Sequence, residues 1–353
     1  MSVSAQTSAL RTRAAMHRER ARSLLAMRGD DAQDALFQLC PSRLLLRDAQ
    51  VKESLLLNER GHPIADVLVC ADDEDYLLIV EGLRGAELLA HVEASLPKGA
   101  RPELELLDDA HEILSVHGPW AWHVVASVMG DDLIALPYLN FFRMSEGLCV
   151  RAGKTGEYGY DVIVPSASAD DVAARIAVAI AEVGGMEVDA ATLALARFEA
   201  WFFDPAFVPA GVTPLELQLA WRLDLSREWV GSEAIAARRA SGVTRRLMCM
   251  LAPRDVAAEA SVTLDGEPIG EVVRCARSEV RDEHVIAALI DARLAHGGID
   301  RYRIGEVPTR TVAPPLIDNH SLHVDPRRHT FAARDEIVLG PLARGPRAPM
   351  EAA

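Results

Sequence analysis

Arg151–Pro165 reads RAGKTGEYGYDVIVP. Glycines stand at 153, 156 and 159, every third residue. Glycines this close permit positive φ and let the backbone approach a flat ligand. Glu157 is the acid set between them. The two oxygens of a carboxylate match a heterocycle that carries an amino group and a ring N–H on neighbouring atoms. The same pattern also describes a hairpin turn with one exposed acid. Gly159–Pro165 reads as a strand. Ser166–Asp171 then offers N-cap residues to an Ala-rich helix over Val172–Val183, which Gly184-Gly185 stops.

Upstream, Val51–Val80 alternates in short apolar runs: VKESLLLN, PIADVLVC and DYLLIV. Turn residues separate the runs, so three antiparallel strands are expected. A helix over Leu83–Leu96 follows from apolar residues at helical spacing. A strand is expected at Glu112–His117, and a helix opened by Gly118-Pro119 at Trp120–Met129. Mixed order of this kind points to α+β layers rather than a doubly wound sheet. A further module begins near Leu136–Arg143, and another helix spans Ala190–Phe202. From Thr244 the chain turns to short strands with glycine turns, RRLMCML, SVTLDGEPIGEVVRC and HVIAALID. That pattern is the signature of a small β-barrel or sandwich. The segment after Asp318 is rich in Pro, Arg and Gly, and reads as irregular.

Composition narrows the function. The 353 residues are too many for one comfortable core. The net charge of -15 argues against a partner that needs broad phosphate neutralisation. The basic stretch Arg11–Arg22 reads as a solvated helix face. No apolar run is long enough to span a bilayer, and the first residues lack a secretory core, so the cytoplasm is the default. The five cysteines are scattered without a CxxC pair, which predicts small core residues rather than disulfides or a zinc site.

Two further groups stand out. Asp66 lies between Ile64 and Leu68 on one face of a strand. An acid there needs a partner. It either pairs with a buried Arg, or faces a cavity where burial raises its pKa and suits it to proton handling. Arg197 and Glu199 are two apart on a helix and point to different faces, which fits surface ion pairing. His111, His117 and His123 lack metal-like spacing and are assigned no ligand role. No metal site is expected.

The order of these motifs is more specific than any one of them. It runs Gly29-Asp30-Asp31-Ala32, then Leu56-Leu57-Asn58 with Gly61 and Asp66, then Gly118-Pro119 and Gly153–Pro165. Arg197-Phe198-Glu199-Ala200, Pro214-Leu215-Glu216 with Trp221, Gly231-Ser232-Glu233-Ala234, Arg245-Arg246-Leu247 and Gly266–Gly270 continue it. This series, from Ala26 to Pro315, resembles the tetrahydrofolate-dependent T-protein (aminomethyltransferase) family. The resemblance implies a three-lobed ring with two mixed α/β lobes and a C-terminal barrel. The expected boundaries are an N-terminal arm over 1–25, lobes over 26–135 and 136–240, a barrel over 241–318, and an irregular tail over 319–353.

By residue, the resemblance places Asp66 beside the reactive N5–N10 edge of a folate as the catalytic residue, to orient the one-carbon unit or assist proton transfer. It gives Glu157 the pterin's amino edge, with Gly156 and Tyr160 in the same loop. Arg197 helps close the site and Tyr138 stacks on the ring. Ala65 stands where the family has a first Asp, Trp201 replaces a Gly, and a long N-terminal segment has no counterpart. The implied activity is one-carbon transfer, as methyl, methylene or aminomethyl, between tetrahydrofolate and a small molecule. The alternative is a non-catalytic folate-binding or scaffold subunit of a larger oxidase or demethylase complex. A member that has lost folate altogether is the third option. No nucleic-acid or membrane partner is implied.

Overall fold

The computed structural model describes residues 3–345. The chain opens with α1 (Ala5–Thr12), β1 (Ala15–Glu19), β2 (Arg22–Arg28) and α2 (Ala32–Leu39). Next come β3 (Val51–Leu57), β4 (Pro63–Asp72), β5 (Asp75–Glu81), α3 (Gly85–Ala94), β6 (Glu103–Leu106) and β7 (His111–His117). The second stretch holds α4 (Ala121–Met129), β8 (Asn140–Met144), β9 (Gly147–Arg151), β10 (Gly159–Pro165), α5 (Ser166–Glu182), β11 (Met186–Glu187) and α6 (Ala190–Glu199). After α7 (Ser232–Ser241) the strands are β12 (Arg245–Ala252), β13 (Ser261–Leu264), β14 (Glu267–Ser278), β15 (Glu283–Asp291), β16 (Tyr302–Ile304) and β17 (Val307–Thr311).

These strands form three units. One sheet has the order β3-β4-β5-β2-β6 and a second has β11-β1-β7-β10-β9-β8. The last six strands close into a barrel, β12-β15-β14-β13-β16-β17. Strand alternation explains how the two sheets stack. On β4, Ala65, Val67 and Val69 turn to one face and join Leu36, Leu39, Leu88 and Val92 of α2 and α3 in a core. Leu68 and Cys70 turn the other way and pack against Ile113, Phe141, Val150 and Ile163 of the second sheet. The far face of that second sheet is covered by α4 and α5 through Val124, Val125, Val172 and Ile176. The result is helix, sheet, sheet, helix, with the barrel beside it. The mixed α/β architecture with a C-terminal barrel is as expected.

The boundaries differ from expectation. Residues 1–25 are not an arm, because β1 lies inside one sheet and β2, which begins at Arg22, inside the other. The fully buried Arg11 anchors that stretch. The boundary at 135 is also displaced. β7 and α4 belong to the second sheet, since β7 pairs with both β1 and β10. In the expected tail, Asn319, His320 and Ser321 are buried. Its residues 346–353 lie outside the described residues.

Two helices have shifted ends. α5 starts at Ser166, ahead of the expected Val172. Pro165 presets the turn, and the Ser166 amide donates to the Ala110 carbonyl, so no side-chain cap is needed. α6 stops at Glu199, short of Phe202, because Trp201 has a left-handed φ of 61°.

The glycines of the 151–165 stretch serve the chain itself. Only Gly156 has a positive φ, at 85°. Gly153 and Gly159 press together: a Cβ on Gly153 would fall 2.4 Å from the Gly159 Cα. Gly153→Ala is therefore expected to cost about 1–3 kcal/mol by overpacking. Urea unfolding of the two proteins checks this; an unchanged midpoint would sink it.

Candidate ligand site

Asp66 lies on the β4 face that meets the second sheet and is buried, at 1% exposure. Its cross-strand neighbour on β5 is another acid, Glu81. Two adjacent carboxylates in a low-dielectric setting need cations. Three arrive from three separate segments. The Lys154 ammonium, from the glycine loop, donates to Asp66 Oδ2 at 2.5 Å. Arg197 of α6 donates to the same oxygen at 3.2 Å and reaches Glu81 Oε1 at 2.5 Å. Arg222, in a turn after α6, donates to Asp66 Oδ1 at 2.9 Å and lies 3.5 Å from Glu53.

Burial pushes the Asp66 carboxyl up, but the fields of Lys154, Arg222 and Arg197 outweigh it and hold the pKa down to about 2. Asp66 is thus a fixed anion. This corrects the proton-handling expectation, which needed a raised pKa. The buried-Arg pairing is the arrangement found. Ala65 faces the helix-covered core, so an acid at that position would point away from Asp66.

The cations that Asp66 holds line two adjoining cavities. The larger, about 590 Å³, includes Phe198, Trp201, Phe203, Phe207, Trp221 and Arg222 in its wall. Phe198 and Trp201 stack at 5.8 Å. The Arg274 guanidinium lies 4.3 Å from the Phe198 ring centre and 3.9 Å from that of Phe207, and is 3.2 Å from Asp204. The smaller cavity, about 290 Å³, is bordered by Lys154, Arg197, Arg22, Glu19, Glu81 and His117. Asp204 and Phe207 line both.

The expected site residues divide. Asp66 and Arg197 are in contact, and Arg197 reaches a cavity. Glu157 is elsewhere: its Oε2 accepts from the Ser321 amide at 2.9 Å and the Ser321 hydroxyl at 2.6 Å. Arg11 stands 3.7 Å from its other oxygen. Burial raises the Glu157 pKa against the pull of Arg11 and Ser321. Gly156 packs on Asn319. Tyr160 is a core residue beneath the α4–α5 layer, and burial raises its pKa. Tyr138 is half exposed, its pKa pushed up to about 12 by desolvation. Neither Glu157 nor Tyr138 lines either cavity.

A second buried hub joins these pieces. Arg11 donates to the Thr155 carbonyl at 2.7 Å, to Asn319 at 3.3 Å and to Glu199 at 2.6 Å. The Ser278 hydroxyl of the barrel donates to the other Glu199 oxygen at 2.5 Å. The Arg197/Glu199 pair is therefore buried, each member in its own network, and not a surface pair. Lys154, Arg222 and Arg11 escaped sequence reasoning. Their partners are far off in sequence, and an isolated cation carries no local signal.

A family model described as GCVT N-terminal domain matches residues 1–227. The chain belongs to the GCVT N-terminal domain family. A curated aminomethyltransferase of Rubrobacter xylanophilus is 27% identical over 330 residues, covering 89% of this chain and 86% of that protein. The mitochondrial aminomethyltransferase of Canis lupus familiaris is 30% identical over 275 residues, 72% of this chain and 66% of that protein. The crystal structure of the glycine cleavage system aminomethyltransferase T from Bartonella henselae shares the fold, with a TM-score of 0.79 at 20% identity and 89% of each chain covered. No helix among the described residues is long and apolar enough to cross a membrane.

Asp66→Asn is expected to cost about 3–5 kcal/mol at neutral pH, since it removes the carboxylate that three cations share. The Asp66 pKa is lowered on folding, so its contribution is complete above the unfolded value near 3.8 and is lost as pH falls through about 2. Denaturant unfolding of both proteins from pH 6 towards about 2 should show the gap narrowing in that window. A pH-independent gap would contradict the assignment.

Proposed function

We propose that this chain transfers a one-carbon unit between tetrahydrofolate and a small molecule, with the folate held in the larger cavity. The observation that carries this is the aromatic wall of that cavity next to the Asp66 ion cluster. Its volume of about 590 Å³ falls in the range of small-molecule pockets, roughly 300–1,000 Å³. Flat pterin and aminobenzoyl rings fit against Phe198, Trp201, Phe203 and Phe207. The Glu53 carboxylate suits the pterin's paired N–H groups. The Arg274 guanidinium suits a carboxylate of the folate tail. Relatives named aminomethyltransferase support the same class of reaction.

Bound folate supplies the N5 and N10 atoms that carry the one-carbon unit. The chain supplies position and charge. Asp66 stays ionised and fixes Lys154, Arg197 and Arg222, so the field at the cavity wall is set before any ligand arrives. The aromatic walls exclude water and orient the rings, and orientation accounts for much of the rate. Glu157, Gly156 and Tyr160 act in this reading as the frame of the glycine loop that carries Lys154. Tyr138 lies at the exterior of that frame.

Calorimetry with tetrahydrofolate tests the proposal. Wild-type protein should bind, and Phe207→Ala, at a half-exposed position, should bind about tenfold more weakly through loss of a stacking face. No binding by the wild type would end the folate reading. With folate bound, the purified chain should move a labelled methyl group from an N-methylated amine, or a labelled methylene group from an N-aminomethyl or N-hydroxymethyl donor, onto folate. Folate binding without any turnover would favour the scaffold alternative.

A further inference from the structure

The smaller cavity has walls of both signs. Arg22 is satisfied by Asp161, at 2.7 and 2.9 Å, and by Glu19 at 3.3 Å. Arg197 is satisfied by Glu81 and Asp66. Two groups are not. Lys154 has three N–H donors, and its ammonium makes one hydrogen bond, to Asp66, while the side chain stays 14% exposed. His117, 6% exposed, lines the same cavity with its Nδ1 buried and unpartnered. That nitrogen lies against Gly159, where an added Cβ would fall 2.8 Å away, so no ligand atom can reach it. A buried orphan N–H is rarer than a buried orphan acceptor, which puts the proton of a neutral ring on Nε2. Burial lowers the His117 pKa to about 4 against the opposing pull of Asp161, with Arg22, Glu19 and His17 also facing it. The ring is therefore neutral at pH 7. Lys154 follows Gly153 in sequence and the His117 ring lies against Gly159, and both residues line this cavity.

We infer that this cavity binds a small zwitterion, its carboxylate between the Lys154 ammonium and His117 Nε2–H, and its amine towards Glu19, Glu81 and Asp204. The inference rests on the one-carbon reading, in which this zwitterion is the molecule that exchanges the unit with folate. Both charges are needed. A simple anion would meet the three acids, and a simple cation would meet Lys154 with its donors unfilled. Asp204 and Phe207 belong to both cavities, so the amine end lies at their junction.

Ligand-observed NMR on the full chain tests this with α-amino acids and their N-methyl forms, each beside its methyl ester and its amine-free carboxylic acid. At least one zwitterion should bind saturably at millimolar concentration, with its ester and acid at least about tenfold weaker. His117→Ala and Lys154→Gln should each weaken that zwitterion by about tenfold. The wild-type panel decides the matter even if a variant fails to fold. Folate binding with no zwitterion bound overturns this inference alone, and so does an ester that binds as well as its parent. Zwitterion binding with no folate bound overturns the one-carbon reading and with it the zwitterion's place as folate's partner.

Discussion

One buried anion organises this molecule. Asp66 sits opposite Glu81 on neighbouring strands, and those strands cannot bring two carboxylates together unaided. Removing two ions from water costs more than their contact with a single cation returns. Lys154, Arg197 and Arg222 answer that cost jointly. Each comes from a different segment, so the interaction is also a geometric constraint. The glycine loop, the end of α6 and the turn at Arg222 must converge on β4. Where they converge, they leave the two cavities. Cavity walls and ion cluster are therefore one object, and the site cannot be rearranged without exposing an unpaired charge.

Arg11 performs the same service at the opposite side of the glycine loop. Its guanidinium gathers the Thr155 carbonyl, Asn319 and Glu199, while Ser278 brings the barrel to Glu199. Ser321 then closes over Glu157. The loop is thus clamped from both flanks: Lys154 is drawn to Asp66, and Thr155 and Glu157 are drawn to Arg11 and Ser321. A loop with three glycines would otherwise sample many conformations. The clamps hold it in one, and so fix Lys154 and the wall of the smaller cavity.

The sequence carried those parts of the fold that are local. The β3–β4–β5 meander, the α5 helix and the barrel strands announce themselves by period and turn residues within a dozen positions. The first strands were hidden because Arg18, Arg20 and Arg22 fall within and between them and made the basic stretch Arg11–Arg22 read as a solvated helix face. The site was only half legible. Asp66 was visible as an acid on an apolar strand face, whereas Arg197 read as a surface ion-pairing residue and entered the site only through the order of motifs. Which of two opposite pKa directions Asp66 would take depended on cations 88, 131 and 156 residues away, and no local pattern reports those. Glu157 was conspicuous for its company of glycines, yet its partner Ser321 lies 164 residues on.

The neighbouring positions 65 and 66 show why a strand departure must be read by face before it is read as a loss. In a list of motif residues, Ala65 and Asp66 look like a damaged acid pair. In the strand they point to opposite sides: Ala65 enters the core under α2 and α3, and Asp66 enters the ion cluster. An acid at 65 could not share the cations at 66. The chemistry available here is that of one anion surrounded by three cations. Such a group is too acidic to accept a proton near neutrality, so its contribution to any reaction is a stationary field. Groups that must change protonation or shed a hydrogen-bond partner have to be sought among those left unsatisfied along the cavity wall. His117, with a buried unpartnered ring nitrogen, is among the groups left unsatisfied there.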